Sequence, residues 1–189
     1  MVFGPVESTQ VRRPGDRNAG CGPGFAGRDE RCRAGAILIV LRYLLETCDT
    51  ADEAIGKLQS IPIAIPQNVT LVDSEQAVTV FVGPDIPLAK APDACAADHQ
   101  HMPVPDEQEQ FSRTQERLSA IRAAGTDVAA MLKSPLYQSG HDEGWGTVYT
   151  AHYQPSEGRV TYYWPGESWG QSFDDFAPES RNVTIGQVG

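Results

Sequence analysis

The sequence has little positive charge, no long apolar run and no paired-cysteine spacing. Its 15 Lys and Arg stand against 25 Asp and Glu, a net charge of -10. Nucleic-acid binding normally needs a basic patch that displaces counterions from phosphates, so no nucleic-acid partner is expected. No stretch approaches the ~18 apolar residues of a membrane span. The longest, residues 36–41 (AILIVL), is a helix turn or two, so no membrane partner is expected either. No basic region followed by an apolar one opens the chain, which predicts no secretory leader and a cytoplasmic location. The four cysteines (Cys21, Cys32, Cys48 and Cys95) never form a CxxC pair. They are read as free thiols rather than a disulfide framework or a zinc site.

A length of 189 residues suffices for one domain with a real core. The chain nevertheless divides in composition. Residues 1–35 contain seven Gly, three Pro and six Arg against four acids, so the net negative charge lies wholly downstream. Their apolar residues follow neither helical nor strand spacing. Such a segment buries too little surface to offset ordering entropy, and disorder is expected over 1–35. Its Arg, Gly, Pro and Ala content is also what a GC-rich gene yields when translated out of frame. A frame returning near Ile37 is the favoured reading, with a divergent tail as the other. Residues 36–189 are read as the ordered unit.

Apolar residues at helical spacing predict a helix over AILIVLRYLLETC, with Arg42 and Glu46 four apart. Thr50-Ala-Asp-Glu53 is a capping box, which predicts a second helix over 51–60. Pro62 and Pro66 end it and force an extended link. The alternating, β-branched stretches Asn68–Asp73 and Ala77–Val82 predict a hairpin. Residues 83–93 read as a loop, and 94–97 as a short strand. One helix is expected over 109–124, stopped by Gly125, and a short helix capped by Thr126 follows. Gly146–Tyr153 and Arg159–Trp164 predict a second hairpin. Strand pairs separated by helix pairs imply an α+β class, antiparallel sheet with helices packed outside.

These residues resemble a known family. LRYLLETCDTADEAIGKLQSIPIAIPQNVTLVDSEQAVTVFVGPD is similar to the central part of the acyl-CoA:6-aminopenicillanate acyltransferases, the linear-amide C–N hydrolases related to choloylglycine hydrolase. ADHQHMPVP is similar to the family's T-N-H loop, and FSRTQERLSAI to its S/T-x-x-R helix. TVYTAHYQPSEGRVTYYWPGESWGQSF resembles its closing hairpin. The likeness runs over about 37–180, so it concerns the C-terminal portion. It implies the second half of an N-terminal-nucleophile α/β/β/α sandwich. In that family a cysteine exposed by cleavage attacks an amide or thioester carbonyl. Its own α-amine serves as base, and its substrates are small-molecule acyl amides or acyl-CoA.

The chain departs from the pattern. The nucleophile half would stand where residues 1–35 are, so its cysteine is not placed. A Gly20–Cys21 junction is of the type these enzymes cleave, but CGPGFAGRDE cannot form the strand a nucleophile needs. The loop asparagine is replaced by Asp98, whose carboxylate would repel an oxyanion that an amide would hold. By resemblance, Asp98, His99 and Arg117 mark the remnant of the pocket and oxyanion loop. Read plainly, Asp98 caps a turn toward His101, and Arg113, Glu116, Arg117 and Ser119 form a solvated face. His99 and His101 have no third ligand in view, with His141 and His152 remote, so no metal and no cofactor is expected. Cys48 and Cys95 read as small buried residues. Asn68-Val-Thr and Asn182-Val-Thr fit the glycosylation pattern but have no leader to make it meaningful. Trp145, Trp164 and Trp169 read as packing in the closing hairpin.

The resulting expectation is a truncated amide hydrolase or acyltransferase, inactive alone. A subunit of a split enzyme, or a non-catalytic small-molecule binding module, are the alternatives. Half a sandwich would leave a sheet face uncovered, predicting self-association or a missing-half partner chain.

Overall fold

The computed structural model describes residues 2–3, 37–84, 86–100, 103–143 and 146–185. Apart from Val2 and Phe3, the expectations for the tail lie outside the described residues, as do Cys21, Cys32, His101 and Trp145.

The first module is two helices on a four-stranded sheet. Helix α1 spans Ile37–Thr47 and α2 spans Ala51–Leu58. The helical spacing of α1 buries Val40 and Leu44, with Cys48 one turn beyond. Ala51, Ala54, Ile55 and Leu58 make the matching stripe of α2. Both stripes pack on Val69, Leu71, Val80 and Val82 of the sheet in one core. The capping box forms with a shift. The Thr50 hydroxyl accepts the Glu53 backbone N–H at 3.2 Å, but the Glu53 carboxylate reaches back to the Asp49 N–H at 2.9 Å.

Strands β1 (Val2–Phe3), β2 (Gln67–Val72), β3 (Ala77–Gly83) and β4 (Ile86–Lys90) lie in that order, antiparallel throughout. Strand alternation sends Val69 and Leu71 toward the helices, opposite Val80 and Val78. Asn68 and Thr70 then occupy the other face, opposite Phe81 and Thr79. Strand β4 replaces the loop expected over 83–93. Pro87 weighed against a strand, yet at a sheet edge its missing N–H breaks no ladder. The short strand expected over 94–97 is absent, since side chains rather than a ladder hold that segment.

The β2–β3 turn is built on Asp73. Its carboxylate accepts the Glu75 and Gln76 N–H groups, and also Ala51 N–H at the start of α2, each at 2.8 Å. One side chain thus joins the hairpin to the helix. These backbone bonds hold the Asp73 carboxyl below its ordinary value. A carboxyl lowered in the folded state stabilises fully above its unfolded value of about 3.9 and loses that contribution as pH falls through the folded value. Asp73→Asn should therefore flatten the acid limb of the stability curve. Urea midpoints of both proteins, measured as pH is lowered below about 5, check this.

The helix expected over 109–124 is two helices, α3 (Asp106–Ser112) and α4 (Thr114–Ala124). They break at Arg113, which adopts a left-handed φ of 51°. Neither Gly nor Pro marks the break. The Glu109 carboxylate caps the new helix from outside, accepting Gln115 N–H at 2.9 Å. Arg113 grips Glu116 through two bonds of 2.7 Å. Gly125 ends α4 at φ 56°. Helix α5 (Val128–Met131) is capped by Asp127, not by Thr126.

The second hairpin is a three-stranded antiparallel sheet: β5 (Thr150–Gln154), β6 (Arg159–Trp164) and β7 (Glu167–Ser172). Strand β7 was not expected, because its sequence ESWGQS has none of the β-branched alternation that marks a strand. Trp164 is buried, its Nε1–H donating to the Val148 carbonyl at 2.7 Å.

Candidate functional site

Segment 91–100 leaves β4 and lies against the β2–β3 face opposite the helices. Thr79 anchors it. Its carbonyl accepts Ala91 N–H at 2.8 Å, and its hydroxyl donates to the Ala94 carbonyl at 3.0 Å. That hydroxyl then accepts from the half-buried Thr70 at 2.8 Å. Farther along, the Asn68 side-chain amide donates to the carbonyls of Ala97 and His99, on either side of Asp98. Gln100 donates to the carbonyls of Gln67 and Val82 at 2.8 and 3.1 Å. The loop is therefore fixed from β2 and β3 by side-chain amides and hydroxyls.

Helix α4 closes the loop from the other side. Thr114 and Arg117 are three residues apart, on one helix face. Arg117 is 2 % exposed, and its Nη1 lies 2.9 Å from Asp98 Oδ2. The Thr114 hydroxyl, fully buried, lies 2.8 Å from His99 Nδ1. The structure thus brings Asp98, His99 and Arg117 to one place. Arg117 is buried rather than part of a solvated face. Asp98 has Arg117 as its partner. As a residue Asp98 is exposed, but its side chain is 23 % accessible.

Dehydration governs the charges here. Burial raises the Asp98 carboxyl above its ordinary value, with His99 pulling the other way. Burial lowers the Arg117 guanidinium. Burial also lowers His99, opposed by Glu109 and Asp98. Each shift favours the neutral form, so the Arg117–Asp98 contact holds against a desolvation cost.

Chemically, this is an anchor rather than an acid–base pair. Arginine stays protonated at any working pH, and the Asp98 carboxylate is committed to it. Two cysteines lie among the described residues. Cys48 is buried in the core beside α1 and α2. Cys95 is half-buried three residues before Asp98, and burial together with Asp93 pushes its thiol up. A nucleophilic cysteine needs the opposite shift. Among the described residues no group of three or more His, Cys, Asp or Glu is placed to hold a metal, and no helix is long and apolar enough to cross a membrane.

Sequence reasoning did not single out Thr114 or Gln100, and it took Asn68 as the start of a strand. The T-x-x-R spacing of Thr114 and Arg117 was the available signal for the first. Nothing local marked the other two, whose partners are 18 to 33 residues away.

The family model of acyl-coenzyme A:6-aminopenicillanic acid acyl-transferase matches residues 25–169. The match takes in the loop, α4 and most of the second sheet. It also begins upstream of Ile37, inside the segment read as foreign. No curated protein and no solved structure matches the chain.

Proposed function

Because the chain belongs to the acyl-coenzyme A:6-aminopenicillanic acid acyl-transferase family, we propose that its fold serves acyl transfer or hydrolysis at a non-peptide C–N bond, and that this chain does not carry the reaction alone. The observation behind this reading is the pairing of a fixed Asp98–Arg117 loop with two unsuitable thiols. In the family chemistry, a cysteine thiolate attacks an acyl carbonyl, the first leaving group departs, and an amine or water takes the acyl group from the thioester. Cys48 is in the core, and Cys95 is disfavoured as a thiolate. Asp98, where the family pattern has asparagine, presents an oxygen acceptor to a developing oxyanion instead of an N–H donor.

Asp98, His99 and Arg117 are assigned to the wall of the former pocket, with Arg117 holding the loop. A subunit of a split enzyme, with the nucleophile on a partner chain, is the alternative form of this reading. The substrates are a small acyl amide or acyl-CoA, taken up by the joined protein. The test is release of free CoA from an acyl-CoA in the presence of 6-aminopenicillanic acid. The purified chain should give the buffer rate. Turnover that disappears on thiol alkylation would contradict the proposal. A non-catalytic binding module remains the second reading, favoured by the loop's complete anchoring. It predicts saturable binding of the acyl-CoA without CoA release.

A further inference from the structure

The two faces of the second sheet differ in chemistry. Strand alternation puts Tyr153, Tyr162, Trp164 and Trp169 on one face. The other is mainly polar, with Thr150, His152, Thr161 and Ser168 beside Tyr163. On the aromatic face the rings form a row. Tyr149 meets Tyr162 edge-on with centroids 5.3 Å apart, and Tyr162 meets Trp169 at 6.0 Å. Among the described residues of β5, β6 and β7 only Trp164 is buried. Tyr149 and Tyr153 are exposed, and Tyr162 and Trp169 are half-buried. Accessible Tyr and Trp rings offer a large contact area at low conformational cost, which is why binding surfaces use them.

One end of the row already holds a cation. The guanidinium carbon of Arg181 lies 5.6 Å from the Trp169 ring centroid, within the reach of a cation–π contact. Its other contact is an ion pair with Glu179 at 3.1 Å, and both side chains are solvent-accessible, so that pair contributes little. The segment that carries Arg181, residues 173–185, forms neither helix nor strand. The surrounding charge is negative. Glu167 shares the aromatic face with Trp169, and residues 146–185 hold five acids against two arginines.

We propose that the Tyr149–Tyr162–Trp169 face docks an arginine-bearing segment of a partner polypeptide, and that Arg181 occupies its place in the free chain. Two observations select that occupant. The ring row is already met by a guanidinium, which stacks on aromatic faces and is weakly hydrated, whereas an ammonium is compact and strongly hydrated. The chain's net charge of -10 and the acids around the face attract a basic segment. The inference does not depend on the acyl-transfer reading, since it uses neither the Asp98 loop nor a cysteine.

The experiment follows the indole N–H signals of the isotope-labelled full chain by NMR. A capped peptide of alternating glycine and arginine is added, and a lysine counterpart of equal charge serves as the comparison. Trp169→Leu, which keeps apolar bulk and removes the ring, identifies the Trp169 signal. If that variant fails to fold, sequential assignment identifies it instead. A saturable shift of the Trp169 signal is expected, with affinity for the arginine peptide roughly 3-fold or more above that for the lysine peptide. Arg181→Ala removes the resident guanidinium and should tighten binding of the arginine peptide. A Trp169 signal that does not move would overturn the proposal. An equal response to both peptides would also overturn it, because net charge alone would then account for binding. So would weaker binding to the Arg181→Ala chain.

Discussion

Arg117→Ala is expected to lower the unfolding free energy by about 3–5 kcal/mol, the usual cost of removing one partner from a buried ion pair. The low end of that range is the better expectation, because the Asp98 side chain retains 23 % accessibility and water can take up part of its charge. The loss has two sources. Asp98 is left in a dehydrated setting without the guanidinium 2.9 Å away, and the removed side chain leaves a hole beside Thr114 and the loop. The pair itself contributes less than the single change suggests, since forming it required both groups to leave water. Asp98→Ala combined with Arg117→Met should therefore cost clearly less than the sum of the single changes. Urea denaturation of the four proteins of this cycle measures the coupling. Additive effects would mean that Asp98 and Arg117 act independently.

Leu71→Ala should cost about 2–5 kcal/mol, the range for emptying a fully buried leucine site. Leu71 is 0 % exposed and sits where both helices meet β2 and β3. Pairing with Val78 across the hairpin and with Phe3 on the other side leaves the backbone little room to collapse. Leu38→Ala makes the control. The same chemical change at a site 77 % exposed on α1 should stay within about 0.5 kcal/mol. Thermal or urea melts of both variants separate burial from composition. Domains of this size are stable by only about 5–15 kcal/mol, so the Leu71 variant should show a visibly unfolded fraction under mild denaturation.

The parts of this fold legible in the sequence were those set by local periodicity. The apolar stripe of α1, the Thr50 cap, the β2–β3 hairpin and the Gly125 stop all follow from residue spacing within one element. What escaped depended on neighbours. Pro87 is compatible with a strand because β4 is an edge, and edge position is a property of the sheet. Arg113 takes a left-handed conformation because Glu116 holds its guanidinium and Glu109 caps the helix beyond it, and neither bond leaves a trace in helix propensity. Strand β7 exists through pairing with β6, turned by Gly166 at φ 78°. At the candidate site, resemblance pointed to Asp98, His99 and Arg117, but their partners came from the fold. Thr114 is positioned by the helix break, and Asn68 becomes an anchor because loop 91–100 crosses its face of the sheet. The helix-free side of β2 and β3 carries Phe81 beside Asn68 and the Thr70–Thr79 pair, and loop 91–100 lies against it.

The proposed inactivity rests on Cys48 and Cys95, the cysteines among the described residues, being unsuited to act as the nucleophile. Intact-mass spectrometry of the chain after incubation with an acyl-CoA tests it most directly, because a cysteine that enters the reaction must carry the acyl group as a thioester. The mass is expected to stay unchanged at every time point. A stoichiometric acyl adduct on any of Cys21, Cys32, Cys48 or Cys95, discharged by an added amine, would contradict it.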